Sequence, residues 1–373
     1  MEMITMFTKN IMEIVHNPAM IVMWIIGGLM IYLAIKKDME PTLLLPMGFG
    51  AILCNLPFAG VEHGGVAEVL ETLFNAGIAN ELFPLLLFIG IGAMIDFGPL
   101  LSNPKLLLFG AAAQFGIFFT LSLASLLGFD LKDAASIAII GAADGPTSIF
   151  VANYFNTKYL GAIIVAAYSY MALVPIVQPA CIRLITTKKE RQIHMEYNPA
   201  SVTTRTRILF PILVTAVAGI AAPKSAALVG FLMFGNLLRE CGVLNSLSQA
   251  AQNVLANLIT LLLGLTVAVR MEASAFLNPQ TLMILALGLV AFIFDTFGGV
   301  LFAKVLNIFS KKKMNPMVGA AGISAFPMSS RVIAKMALEE DPSNFLLMHA
   351  AGANVAGQIA SCIAGGLIIA LVG

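Results

Sequence analysis

Gly141-Ala-Ala-Asp-Gly-Pro-Thr-Ser148 places a carboxylate, a proline and side-chain hydroxyls between two strongly apolar stretches. A second stretch does the same: Asn315-Pro-Met-Val-Gly-Ala-Ala-Gly-Ile-Ser-Ala-Phe-Pro-Met-Ser-Ser-Arg331. Proline lacks a backbone donor and glycine tolerates positive φ, so a helix entering either stretch has to break. Freed N–H and C=O groups at bilayer depth survive only when buried in protein or lining a hydrated cavity. Ionisable residues there mark functional sites, and paired broken segments in corresponding halves mark a transporter's binding site.

The surroundings are those of a membrane protein. Hydrophobic residues make up 59% and charged ones 11%, against about a quarter charged in soluble domains; mean hydropathy is +0.92. No stretch reads as a soluble catalytic domain, and no cleavable signal peptide is apparent near Glu2, Lys9 and Glu13. Cys54, Cys181, Cys241 and Cys362 are dispersed, which argues for packed thiols over a metal or redox motif.

A spanning helix needs roughly 20 apolar residues. Candidate spans lie at about 18–36, 41–60, 82–98, 104–128 and 158–182, then at about 207–222, 224–238, 253–270, 280–307 and 344–371. The interrupted segments, about 133–155 and 315–338, read as re-entrant helical hairpins. The halves resemble each other: Phe88–Asp96 with Ser102-Asn-Pro104 parallels Leu262–Arg270 with Leu277-Asn-Pro279, and Gly141-Ala-Ala143 parallels Gly319-Ala-Ala321, at an offset of about 175–178 residues. The expected fold is therefore an all-α integral membrane protein, an inverted repeat of about five spanning helices plus one hairpin per half. Residues 1–185 form the first repeat, 186–206 a basic linker and 207–373 the second repeat.

Charge sets the orientation. Arg183, Lys188, Lys189, Arg191, Arg205 and Arg207 place the linker in the cytoplasm, together with Lys36, Lys37, Lys105 and Lys311–Lys313; Glu62, Glu68, Glu71 and Glu81 fall outside. This count holds only if each hairpin returns to its starting side. The first then enters from outside, the second from the cytoplasm, and their tips meet near the midplane.

Asp144 beside freed carbonyls forms an oxygen cage suited to Na⁺ or H⁺; it also fits the role of a helix cap. Asn315, Ser324, Ser329 and Ser330 add neutral oxygens, although Ser329 equally suits a back-bond to its own helix. Arg331 adds a cation that can grip a planar carboxylate, or snorkel, or pair with Asp295. Tyr168 and Tyr170 offer hydroxyls at membrane depth ahead of Pro175 and Pro179. Asp295 is a further intramembrane carboxylate, open between function and structural pairing. His349, Asn354 and Gln358 lie among Gly352-x-x-x-Ala356 and Gly357-x-x-x-Ser361, a spacing typical of close helix packing.

Over essentially its whole length the chain resembles the β subunits of biotin-dependent, sodium-pumping decarboxylases. The family covers oxaloacetate, methylmalonyl-CoA, glutaconyl-CoA and malonate decarboxylases. The resemblance is most specific in Gly141–Phe150, Ala167–Pro175, Asn315–Arg331 and His349–Gly357. It implies that Asp144 is a Na⁺ ligand, with Asn315 and Gly319 at the same site. It further implies that Tyr170 and Ser324 form a second Na⁺ or proton site and that Arg331 serves carboxybiotin. The activity implied is decarboxylation of carboxybiotin carried on a partner subunit, coupled to Na⁺ export with proton consumption. The partners implied are a carboxyltransferase α subunit, a biotin carrier subunit and a small membrane-anchoring subunit. A homo-oligomer in membrane lipid, multi-pass in the bacterial cytoplasmic membrane and without nucleic acid, is the expected setting. The chain lacks the longer N-terminal region of the oxaloacetate-type subunits, which tilts the resemblance toward an acyl-CoA decarboxylase. The residues alone reach an ion site and an anion-binding arginine, so a stand-alone Na⁺-coupled carboxylate transporter is the rival reading.

Overall fold

The computed structural model describes residues 2–57, 65–196 and 202–373; Glu62 and part of the basic linker fall outside the described residues. Every regular element among them is a helix. Seven helices are long and apolar enough to cross a bilayer: Ala19–Lys37, Pro104–Leu126, Leu160–Ile185, Thr204–Ala221, Asn245–Met271, Pro279–Phe309 and Leu347–Val372.

Three spans are short: two end before the anticipated bounds, at Cys54 and Met94, and the third keeps the short length anticipated at about 224–238. Pro41–Cys54, Leu82–Met94 and Ala226–Glu240 have 14, 13 and 15 residues. At a rise of ~1.5 Å per residue they reach ~20–23 Å, short of a ~30 Å hydrocarbon core. Each stop has a local cause. The Asn55 amide donates to Ala51 O and Met271 O, each at 2.8 Å, and its Oδ1 accepts from Ala273 N, tying the first helix end to a distant span. Leu82–Met94 meets Glu68–Gly77 at a 62° bend, where Glu81 has φ 65° and Asn80 Oδ1 accepts from Leu82 N. The Ala226–Glu240 helix ends in charge: Arg239 Nε lies 3.6 Å from Glu240.

Both interrupted segments are broken helices. Leu131–Ala138 is capped by Asp130, tightens into a 3₁₀ turn over Ile139–Ala142, and stops at Ala143, whose φ is +51°. A left-handed alanine costs ~1–2 kcal/mol, a strain that persists only where its surroundings hold it. Gly145–Tyr154 then restarts with Asp144 as its N-cap and Pro146 in its first turn, where a missing N–H costs nothing. In the second segment, Met317–Ala320 gives way to irregular backbone, and Met328–Glu340 follows. The two breaks touch: Ser324 N–H donates to Ala142 O at 3.0 Å.

The Pro104–Leu126 and Pro279–Phe309 spans cross beside the breaks. Gly116 lies against Ala291 and Asp295, Gly298 against Phe115, and Phe119 stacks on Phe294 with centroids 3.9 Å apart. This register runs the two helices antiparallel. Each remaining long helix of this core reaches into the other half's break. Gln178, on Leu160–Ile185, donates to Ala320 O and Ser329 Oγ, both at 2.8 Å. Gln358, on Leu347–Val372, donates to Asp144 Oδ2 at 3.0 Å. The largest apolar cluster, which includes Phe88, Phe109 and Phe292, surrounds this region.

Candidate functional site

Asp144 is 2% exposed, and its carboxylate is ringed by donors. Thr147 N–H reaches Oδ1 at 3.2 Å. Oδ2 accepts from Thr147 Oγ1 at 2.8 Å, Gln358 Nε2 at 3.0 Å and Ser361 Oγ at 2.6 Å. The carboxylate thus caps its own helix and joins the first break to the last span. No lysine or arginine takes part. The Tyr168 ring packs on Gly145, where any side chain would collide with it, and the Tyr168 hydroxyl is buried without a hydrogen-bond partner. Cys362 Sγ closes the same pocket 3.9 Å from Thr147 Oγ1.

Ser324 and Asn354 lie on the adjoining side. Ser324 Oγ donates to Gly357 O at 2.9 Å, and the Asn354 amide donates to Ile323 O at 2.6 Å, leaving Asn354 Oδ1 buried and unpartnered. The last span therefore carries polar groups at 354, 358 and 361, all facing the two breaks.

The other anticipated residues make no hydrogen bond to this cluster among the described residues. The Tyr170 hydroxyl donates to Leu285 O, and its ring meets Gly288, so Tyr170 and Ser324 rest on different partners. Gly319 and Gly299 make a mutual backbone contact that a Cβ on either would prevent, which explains glycine there by packing. Asn315 is buried and spends its amide on Arg191 O and Ile193 O, at 2.7 and 3.0 Å, while its Oδ1 accepts from Met317 N. Those carbonyls belong to the basic linker, which is strapped across the far end of the second broken helix. Arg191 Nε meets Glu340 at 2.6 Å, His194 meets Asp341 at 2.7 Å, and Lys304 meets Glu190 at 3.1 Å.

Arg331 is exposed on Met328–Glu340 and makes no ion pair among the described residues. Glu40 is the carboxylate that feels it: burial raises the Glu40 pKa and the Arg331 charge lowers it. Arg331 does not pair with Asp295, which is fully buried and accepts from Ile117 N. Ser329 bonds Gln178 and Ala320 O across the fold, where a back-bond within its own helix was the simpler expectation.

Sequence reading placed Asp144 but underrated its shell. Gln358 and Ser361 were legible only as packing residues. The available signal was polar residues at 354, 358 and 361 on one face of an otherwise apolar helix.

Comparison with known proteins places the chain in a family. A family model described as the Na⁺-transporting oxaloacetate decarboxylase β subunit matches residues 19–372. The chain is 49% identical to the glutaconyl-CoA decarboxylase β subunit of Acidaminococcus fermentans over 353 residues, covering 94% of this chain and 93% of that one. It is 48% identical to the methylmalonyl-CoA decarboxylase β subunit of Veillonella parvula, covering 94% and 92%. It is 43% identical to the oxaloacetate decarboxylase β chain of Klebsiella pneumoniae, covering 93% and 94%. With a buried carboxylate at a broken helix, an apolar helical body and matches of this extent, the chain belongs to the β-subunit family of the Na⁺-transporting decarboxylases.

Proposed function

We propose that this chain is the membrane subunit that decarboxylates carboxybiotin and couples the step to Na⁺ export. The observation that carries the ion site is the Asp144 shell. Thr147, Ser361 and Gln358 each hold a donor on the carboxylate here, and each also owns an oxygen lone pair. Rotation of two hydroxyls and one amide would turn a ring of donors into a ring of ligands. Such an all-oxygen set with one charge fits a small hard cation. Na⁺ is the cargo of this site.

Arg331 fits the second task. Its guanidinium is exposed, without an ion pair and shaped to hold a carboxylate by two parallel hydrogen bonds. Bound carboxybiotin, carried by a partner subunit, would supply the carboxyl group that leaves as CO₂. Arg331 would hold that anion, Ser324 and Asn354 would line the passage between the anion and Asp144, and Asn315 with the linker would cover the cytoplasmic end of the second hairpin. A carboxyltransferase, a biotin carrier and a small anchoring subunit complete the proposed complex, as a homo-oligomer in the bacterial cytoplasmic membrane.

The topology proposed is an inverted repeat with two re-entrant hairpins. Three features support it. The breaks meet at Ala142 and Ser324; Gln178 and Gln358 reach reciprocally into the opposite break; and each ion pair joins residues that the charge pattern puts on one side, such as Arg207 with Asp96 or Arg270 with Glu71. The experiment is Na⁺ uptake into liposomes holding the purified complex. Avidin should abolish uptake if carboxybiotin drives it; avidin-insensitive uptake would overturn this reading in favour of a stand-alone transporter.

A further inference from the structure

Asp295 takes no part in the site described above, yet it is the more secluded carboxyl. It is 0% exposed and sits mid-way along Pro279–Phe309. The helix opposite breaks at Gln114, between Leu107–Ala113 and Phe115–Leu126. Ile117 N–H is shared there between Gln114 O and Asp295 Oδ1, each at 3.2 Å, and Gly116 N–H also turns to the carboxyl. Among the described residues Oδ2 has no hydrogen-bond partner. It faces Gly141, where a Cβ would stand 2.8 Å from it.

Asp295 and Ile117 are 178 residues apart, the same spacing that separates Gly141-Ala-Ala143 from Gly319-Ala-Ala321. The spans that carry the two residues pack on each other, so the contact lies where those spans cross. One of the pair is an isoleucine, so packing at this crossing does not itself require a carboxyl. The acid was placed on one side only.

Its neighbours bring no compensating charge. Around it pack the Pro104–Leu126 span, the limb from Leu131 to Ala142, the Leu160–Ile185 helix and the segment beginning at Met317. Their charged residues, Lys105, Lys132, Asp133 and Arg183, sit near element ends. Tyr168 faces Gly145 and Tyr170 faces Gly288, and Lys304, on Asp295's own helix, pairs with Glu190. A lone ion in such a place costs far more than a neutral carboxyl with one unmade hydrogen bond.

We propose that Asp295 is a proton-binding site, a neutral carboxyl buried at the crossing of the two repeats and gated by the Gly141 limb of the first hairpin. The proton resides on Oδ2, and Oδ1 accepts from Ile117 N–H. Departure of the limb would open Oδ2 to water and let the proton leave, giving a carboxylate and one H⁺. This goes beyond the ion and carboxybiotin sites and does not depend on either.

The test is infrared spectroscopy of the purified full chain in liposomes at neutral pH. Wild type should show a protonated-carboxyl C=O stretch that Asp295→Asn removes and Asp144→Asn retains. Asp295→Asn, an isostere of the neutral acid, should keep the wild-type melting transition. If Asp295→Asn leaves the carboxyl band intact, the group is ionised and the proposal fails. Should that variant not fold, aspartate labelled with ¹³C at the carboxyl in wild type decides the matter: absence of a labelled protonated-carboxyl band at neutral pH overturns the proposal, whatever the chain transports.

Discussion

At the scale of single residues, the proposed function rests on one buried charge, Asp144, and one exposed charge, Arg331. The Asp144 carboxylate accepts four hydrogen bonds from Thr147, Gln358 and Ser361. An asparagine keeps one acceptor oxygen, and the two hydroxyls and the Gln358 amide can turn to accept from its NH2, so the chain should still fold. Asp144→Asn is expected to abolish Na⁺ transport and Na⁺-stimulated decarboxylation together, because an amide cannot balance a desolvated cation. Asp144→Glu should retain part of the activity at raised Na⁺, since charge survives while geometry shifts. Near-normal Na⁺ activation of the asparagine variant would remove Asp144 from the ion site. Arg331 should behave differently. Losing a charge-assisted contact to a partly desolvated anion costs ~2–5 kcal/mol, which is ~30-fold or more in rate or affinity. Arg331→Ala should therefore lose carboxybiotin turnover while Na⁺ still protects the chain from heat, and Arg331→Lys should recover little. Normal turnover with lost Na⁺ protection would move Arg331 to the ion site or the scaffold.

At the scale of elements, the unexpected feature is the linker strap. Sequence alone marks Lys188–Arg191 as a cytoplasmic basic loop. In the fold it lies against Glu340, Asp341 and Asn315 and so covers the end of the second broken helix. The Arg191–Glu340 pair is only 12% and 14% exposed, which makes it more than a solvated surface contact. Arg191→Ala should free both the linker and Asn315. Hydrogen bonds to charged groups contribute ~1.5–3 kcal/mol, so amide exchange at Ile193 and Met317 should quicken by roughly 10- to 150-fold. Exchange at wild-type rates would show that the strap is held elsewhere. The short helices follow the same logic, because Pro41–Cys54 ends where Asn55 finds partners on a different span.

At the scale of the whole molecule, the proposed topology sorts the charges into two sets. Arg207, Arg239, Asp96 and Glu240 cluster on one side with the linker pairs; Glu71 pairs with Arg270 on the other. A cysteine replacing Lys312 should label only from the cytoplasm and one replacing Glu68 only from outside, read with an impermeant thiol reagent on oriented vesicles in a background without the native cysteines. Labelling of both from one side would break the inverted arrangement.

Sequence by itself determined the membrane class and the position of both helix breaks, and it singled out Asp144, the residue proposed above as the centre of the ion site. These are local consequences of apolar composition, of proline's missing N–H and of a carboxylate placed at a break. It also pointed to an internal repeat, and the Asp295–Ile117 contact has the 178-residue spacing of the two Gly-Ala-Ala motifs. Only the tertiary structure decided which distant groups close the Asp144 shell, since Gln358 and Ser361 lie 214 and 217 residues away. It decided, too, that Tyr168 faces Gly145 while Tyr170 turns to Leu285. Residues two apart on a helix point ~200° apart, and a one-dimensional pattern cannot say which direction is inward until the neighbouring helices have packed.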